Sequence, residues 1–184
     1  MSQKIEIVPI TIERHAQVLF DWRRNVEISR HMYSEGPQSF DEHLRWLKSI
    51  AQDVTHKRFA VEQGGKPVGT TALVNVNEKH SRADFDMYIG EASARIRGAG
   101  AVAEFLTLEY GFHRMKLHKI SCEVFAGNSV AIRLHERMGF SLEGVFREHA
   151  LFEGEWVDVT RLSLLSEDWQ KCREKLKRLL AAMH

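Results

Sequence analysis

The segment RIRGAGAVAEFL, residues 95–106, sets Gly98, Gly100 and two arginines directly before an apolar run with helical spacing. Glycines at a helix start bare the first backbone N–H groups, which have no partner inside the helix, and the helix dipole adds partial positive charge there. A phosphate or pyrophosphate suits such a start. The same glycines also serve simply to open a helix after a loop, so other residues must decide between the two. A Walker phosphate loop ends in Gly-Lys-Ser/Thr, and a dinucleotide-binding turn needs a third glycine after a parallel strand; the segment has neither. The chain carries no GxSxG nucleophile elbow and no HExxH or paired-cysteine motif. His15, His31, His43, His56, His80, His113 and His118 are too scattered for ligand spacing, and no metal is expected.

The flanking sequence must position this segment. KIEIVPI, residues 4–10, alternates as a half-buried strand does, and Thr11 is placed to cap a helix running to about Arg24. Ser39 stands three residues before Glu42, a capping-box spacing, with Leu44, Leu47 and Ile50 on one face of the helix that follows. Two β-rich runs flank Gly64-Gly65, which predicts a tight hairpin, and ADFDMYIG continues the meander. Val102, Phe105, Leu106 and Tyr110 then fall at helical spacing, widened by Leu108 and Phe112, before HKISCEV alternates again. NSVAIRLHERMGF has Asn128 or Ser129 as its cap and Gly139 at its end. Strands over about 140–149 and 155–165 turn at Gly154, and an amphipathic helix begins at about 166.

Lysine and arginine total 26 against 25 acidic residues, for a formal charge of +1, so no sequence-wide field draws the chain to nucleic acid or membrane. Any phosphate binding has to be local. With 43% hydrophobic and 28% charged residues, a length of 184 and no linker or repeat, one α/β domain over 1–184 is expected. Cys122 and Cys172 fall in a strand and a helix of a chain without a secretory signal or an apolar run of membrane length. A structural disulfide is not expected, and the location expected is the cytoplasm.

RIRGAG resembles the Arg/Gln-x-x-Gly-x-Gly/Ala loop of the GNAT superfamily of N-acetyltransferases, and NSVAIRLHERMGF resembles their Asn-x-x-Ala-x-x-Leu-Tyr-Glu-Lys-x-Gly-Phe helix. The resemblance covers almost the whole chain. It implies a mixed sheet of about seven strands with flanking helices, with acetyl-CoA as cosubstrate and no metal. It implies that the pyrophosphate rests on N–H groups from Arg97 through Gly98, Ala99 and Gly100 to Ala101, with Arg95 and Arg97 near the phosphates and Ile96 between them. Pantetheine would add to FDMYIG like an extra strand, at Tyr88, Ile89 and Gly90. Asn128, Ala131, Leu134 and Arg137 of the second motif complete the implied coenzyme site. The thioester would end where this strand splays from ISCEV, with a backbone N–H polarising its carbonyl.

Acetyl transfer needs a neutral amine beside the thioester carbon, a base, stabilisation of the oxyanion and management of the departing thiolate. Glu123, in SCEV, is the first candidate base, with Asp84 and Asp86 competing. The family's tyrosine is thought to protonate the thiolate; here the position holds His135, either a cationic donor or a wall of the coenzyme pocket. Direct attack is expected, with Cys122 the alternative nucleophile.

A narrower resemblance joins DWRRNVEISRHMYSEGPQSFDEHLRWL, NVNEKHSRADFDMYIG and FREHALFEGEWVDVTRLSLL to PseH-type enzymes of pseudaminic acid biosynthesis. These acetylate the 4-amine of UDP-linked 4-amino-4,6-dideoxy-N-acetylaltrosamine. The resemblance implies that Arg23, Arg24 and His43 meet pyrophosphate or uracil. Met32 and Tyr33 either wall a 6-deoxy sugar or belong to the core, and Asn75, Asn77, His80 and Tyr88 face the same opening. Two other enzyme readings stay open, acetylation of ribosomal-protein N-termini and of polyamines, besides a catalytically inactive acyl-CoA-binding sensor. A homodimer is a candidate assembly.

Overall fold

The computed structural model describes residues 4–30, 32–33, 35–96 and 98–181, without the Ile96 side chain; His31 and Arg97 lie outside this set. Strand β1 (Ile5–Pro9) leads into α1 (Ile12–Arg24), which begins at an extended Thr11. The Thr11 hydroxyl makes no cap bond; its N–H instead donates to His15 Nδ1 at 3.0 Å, while His15 Nε2 lies 3.0 Å from Glu62. A short helix α2 (Val26–Ser29), not expected from the sequence, is capped by the Asn25 side chain. In α3 (Phe40–Gln52), Ser39 Oγ accepts from the Glu42 N–H at 3.2 Å, and the Glu42 carboxylate takes the Gln38 N–H at 2.8 Å. The capping box is thus shifted outward by one residue.

Strands β2 (Lys57–Gln63) and β3 (Lys66–Asn77) turn at Gly64 and Gly65, both at positive φ, and β4 (Arg82–Ile89) completes the meander. A short α4 (Ala92–Ile96) precedes α5 (Ala99–Glu109), which runs on into a π turn over Tyr110–Arg114. Then come β5 (Lys119–Phe125), α6 (Ser129–Arg137), β6 (Ser141–Phe152), β7 (Glu155–Leu165) and α7 (Ser166–Ala181). Strand β6 runs to Phe152, three residues beyond the end its alternation predicts.

The seven strands form one mixed sheet in the order β1-β2-β3-β4-β5-β7-β6. Only β4 and β5 are parallel, and they pair for three residues, from Arg82 opposite Lys119 to Asp84 opposite Ser121. Beyond that point β4 stays with β3 as far as Ile89, and β5 stays with β7 as far as Phe125. Each strand follows its own half of the sheet, and the halves part. One core packs Leu108, Phe112 and Trp169 of α5, the π turn and α7 against Ile120, Leu162 and Leu164 of the sheet; another holds α1 to α3 through Ala16, Leu19, Trp22 and Leu47. No helix among the described residues is long and apolar enough to cross a membrane.

Candidate active site

Where β4 and β5 part, they open a cleft of about 740 Å³. Strand β4 walls it with Asp84 to Tyr88, β5 with Cys122 to Phe125, and α6 with Ala131, Leu134 and His135. Past Asp84, β4 has no partner strand on the β5 side, so an extended ligand can add to that edge.

The start of α5 adjoins this wall. Gly98 takes the left-handed conformation, φ 79° and ψ 17°, and the first-turn N–H groups of Ala99 and Gly100 have no helical acceptors. A Cβ built on Gly100 would meet Met87 at 3.6 Å and Ile89 and Leu134 at 3.7 Å, ordinary contacts, so packing alone does not demand glycine there. The residues present thus fit a pyrophosphate at the helix start. Gly90 is different: a Cβ there would lie 2.2 Å from the Trp22 ring, and its N–H already donates to the Val68 carbonyl at 2.8 Å. Gly90 is required by packing, and its N–H is committed to β3 rather than open to the coenzyme.

Three cleft carboxylates share two arginines. Arg161 of β7 reaches Glu123 Oε1 at 2.5 Å and Asp84 Oδ1 at 3.2 Å, with Glu143 at 3.7 Å. Tyr33 donates to Glu123 Oε2 at 3.0 Å, and Asn75 Nδ2 donates to Asp84 Oδ2 at 3.0 Å. Asp86 is paired with Arg58. Burial first, then the hydrogen bond to Glu123, raises the Tyr33 pKa far above the usual phenol value, so Tyr33 keeps its proton and orients Glu123. Tyr33 is accordingly half exposed and polar in its engagement, with Phe125 edge-on at 5.3 Å, and is not a core residue.

A second part of the lining is aromatic and cationic. Arg23 and Arg58 each stand 5.7 Å from the Trp46 ring, and the His43 ring lies 5.5 Å from it at 30°. His43 is 2% exposed. Burial, then the Arg23 charge, lowers its pKa, while the ring bonds to the Ala16 carbonyl. The ring is therefore neutral near pH 7, and its Nε2 has no hydrogen-bond partner among the described residues. It can accept an N–H or O–H but brings no charge to a phosphate, which corrects half of the sequence-based role.

His135 points inward from α6. Its Nδ1 lies 2.8 Å from Glu104 Oε1, and Glu104 is wholly buried in α5. Burial alone would lower the His135 pKa, but the Glu104 charge and hydrogen bonds to Cys122 and Glu104 carry it up to about 10. Cys122 is 2% exposed; burial raises its pKa despite the His135 hydrogen bond. It is a neutral thiol, and both Cys122 and Cys172 are free. No group of three or more His, Cys, Asp or Glu among the described residues is arranged to hold a metal.

The family model for the acetyltransferase (GNAT) domain matches residues 4–141. The chain belongs to the GNAT acetyltransferase family. The acetyltransferase is 28% identical to Escherichia coli spermidine N(1)-acetyltransferase over 147 residues, covering 79% of this chain and 77% of that protein. Its identity to Campylobacter jejuni acetyltransferase PseH is 29% over 126 residues, 68% and 76% of the two chains. The crystal structure of Vibrio cholerae spermidine N-acetyltransferase in complex with CoA and spermine superposes with a TM-score of 0.85 at 26% identity, covering 90% of this chain and 98% of that one. The enzyme is thus an acetyl-CoA-dependent N-acetyltransferase.

Of the residues singled out from the sequence, Arg23, Met32, Tyr33, His43, Asn75, Tyr88, Glu123, Asn128, Ala131, Leu134 and His135 line this one cleft. The Asn128 side chain is partly committed, accepting the Ala131 N–H at 3.2 Å to cap α6. Ile89 is buried in the core beneath α5, and Arg95 and Arg137 are exposed outside the cleft lining. Arg24 stacks on Phe20 at 5.4 Å, Asn77 caps the β3–β4 turn through the His80 N–H, and His80 is exposed; none of these three lines the opening. Sequence reasoning missed Arg161, Arg58, Trp46 and Glu104. Only Glu104 left a signal, as a lone carboxylate in AVAEFLTL.

Proposed function

We propose that the acceptor is the 4-amine of a UDP-linked 4-amino-4,6-dideoxy sugar, UDP-4-amino-4,6-dideoxy-N-acetyl-β-L-altrosamine, and that the amine attacks the thioester directly. The observation that carries this reading is the cluster of Arg23 and Arg58, each 5.7 Å from the Trp46 ring, with neutral His43 stacked on that ring. Stacked aromatic rings and guanidinium groups suit a base and its phosphates. Half-buried Met32 offers apolar surface to a 6-methyl group. In this reading Glu123, oriented by Tyr33 and Arg161, takes the amine proton. The backbone N–H groups starting α5 hold the pyrophosphate, the β4 edge holds pantetheine, and the enzyme works in the cytoplasm. The open edge of β6, with Leu142, Val145 and Leu151 exposed, is where a second copy would pair.

A polyamine acceptor has its own support: Glu35, Glu42, Asp84, Asp86 and Glu123 all line the cleft, and the relatives include spermidine acetyltransferases. Asp84, Asp86 and Glu123 are paired with arginines, so a polyamine would have to displace Arg58 and Arg161 from them, just as phosphates would have to draw Arg58 from Asp86. An assay of thiol release from acetyl-CoA separates the two, using the UDP-amino sugar, a stereoisomer of that sugar, spermidine and a ribosomal N-terminal peptide. The sugar nucleotide is expected to exceed spermidine in kcat/KM by about 100-fold or more, the scale set by leaving buried polar partners unmatched. Turnover confined to spermidine or the peptide overturns the assignment and leaves the acetyl-CoA half untouched.

A further inference from the structure

We infer that Glu104 is a positioning residue that holds His135 as a doubly protonated ring, so that the ring gives the leaving sulfur of the thioester a fixed cationic hydrogen-bond donor. The inference rests on acetyl transfer by this cleft and not on which amine accepts.

Glu104 is wholly buried, and its Oε2 has no hydrogen-bond partner among the described residues. A carboxylate in that position requires a cation beside it. His135 supplies one, with Nδ1 at 2.8 Å from Oε1. Of the two groups the imidazole is the stronger base, with a reference pKa of about 6.5 against about 4.3 for a glutamate. The ring is held in place by Phe85 at 5.7 Å and 83° and by Phe140 at 5.5 Å and 54°. The groups that face it are Glu104 from α5 and Cys122 from β5, with Arg161 of β7 acting on Cys122; β4 and the turn between α6 and β6 contribute these two uncharged rings. With Nδ1 committed to Glu104, Nε2–H is the donor left for Cys122 or for a ligand in the cleft, which His135 lines.

A charge held this firmly makes a poor acid. The Glu104 carboxylate 2.8 Å from Nδ1 raises the ring's pKa and holds its proton, so the ring donates a hydrogen bond to the sulfur rather than the proton itself. The new C–N bond forms as the C–S bond breaks, the electron pair goes to sulfur, and the amine proton goes to a carboxylate base. The imidazolium balances the charge on sulfur, and the amine proton held by the carboxylate passes through solvent to the thiolate, which regenerates the base. His135 thereby differs from a hydroxyl that surrenders a proton, and Cys122 remains a spectator.

The test is a ¹⁵N-histidine NMR titration of the whole enzyme, free and with CoA, beside the variants Glu104→Gln and Cys122→Ser. Both His135 nitrogens should be protonated at about pH 8, and in Glu104→Gln the midpoint should fall to about 7 or below. With the amine that turns over fastest, Glu104→Gln should lower kcat at about pH 8 by about 10- to 100-fold, with KM for acetyl-CoA within about 2-fold, and should recover most of it at about pH 6. Cys122→Ser, which keeps a hydrogen-bonding group beside the ring, should leave both His135 nitrogens protonated at about pH 8. A neutral His135 in the unmodified enzyme at about pH 8, or an equal loss at every pH, overturns the inference. The titration of the unmodified enzyme needs neither an acceptor nor a folded variant, so a wrong acceptor cannot be mistaken for failure here.

Discussion

Replacing Gly100 by alanine should raise stability and leave coenzyme binding intact. The new Cβ meets only Met87 Cε at 3.6 Å and Ile89 Cγ1 and Leu134 Cδ2 at 3.7 Å, so nothing has to shift to admit it. Gly100 is the second residue of α5, and alanine loses less backbone entropy in a helix than glycine. The gain is about 0.5–1 kcal/mol, or a Tm rise of about 1–4 °C for a chain of this size. The substitution keeps the backbone N–H groups of Ala99 and Gly100, and alanine is the alternative residue at this position of the Gly-x-Gly/Ala motif that RIRGAG resembles. Losing one hydrogen bond to a charged group would cost about 1.5–3 kcal/mol, or about 10- to 150-fold in Kd, so a Kd for CoA within about 3-fold is expected. Thermal unfolding and titration calorimetry with CoA read the two effects on one sample. A Kd weakened by about 10-fold or more would show that the methyl obstructs this helix start and refute the reading, and a lowered Tm would refute the packing argument.

Glu123→Gln should lower kcat by about 100-fold while leaving KM for acetyl-CoA within about 2-fold, as loss of a general base does; steady-state kinetics with unchanged kcat would pass the role to Asp84 or Asp86. Tyr33→Phe removes one hydrogen bond from Glu123, and kcat should fall by about 5- to 10-fold with little change in Tm. Gly90→Ala drives a Cβ to 2.2 Å from the Trp22 ring and should cost about 1–3 kcal/mol or more, read as a lowered urea midpoint. The His135 pKa is raised on folding, from 6.5 to about 10. Its contribution to stability is therefore full below about pH 6.5 and is lost as pH rises through about 10. Urea unfolding across that window should show a decline in the unmodified enzyme that His135→Gln largely lacks, and a flat difference between the two would refute the charged pair.

What could be read from the sequence divides along a physical line. Features fixed by neighbouring residues were legible: Gly64-Gly65 makes the β2–β3 turn, Ser39 and Glu42 cap α3, and Asn128 caps α6, because backbone conformation and capping act over a few positions. The glycine-rich start of α5 was legible for the same reason. Helix α2, four residues long, has too few positions to show a period. The roles of Asn77 and His80 were misread because alternation along β3 says nothing of where the strand ends and its turn begins.

The partners of the cleft residues were not legible, because each is a long-range pairing. Glu123 and Arg161 are 38 residues apart, and Tyr33 and Glu123 are 90 apart. Only the sheet order brings them together, by placing β7 beside β5 and leaving the β4 side of β5 open beyond Ser121. That arrangement makes the carboxylates and the cleft a single consequence of one short parallel pairing. Had β4 and β5 stayed hydrogen-bonded along their length, there would be no free strand edge for pantetheine, and the cleft-facing stretches of the two strands would be closed against each other. The splay therefore supplies both the place where an acyl chain can add and the polar residues that can act on it. Residues deep in the fork, such as Glu104 and His135, then set the charge at its base from within the core.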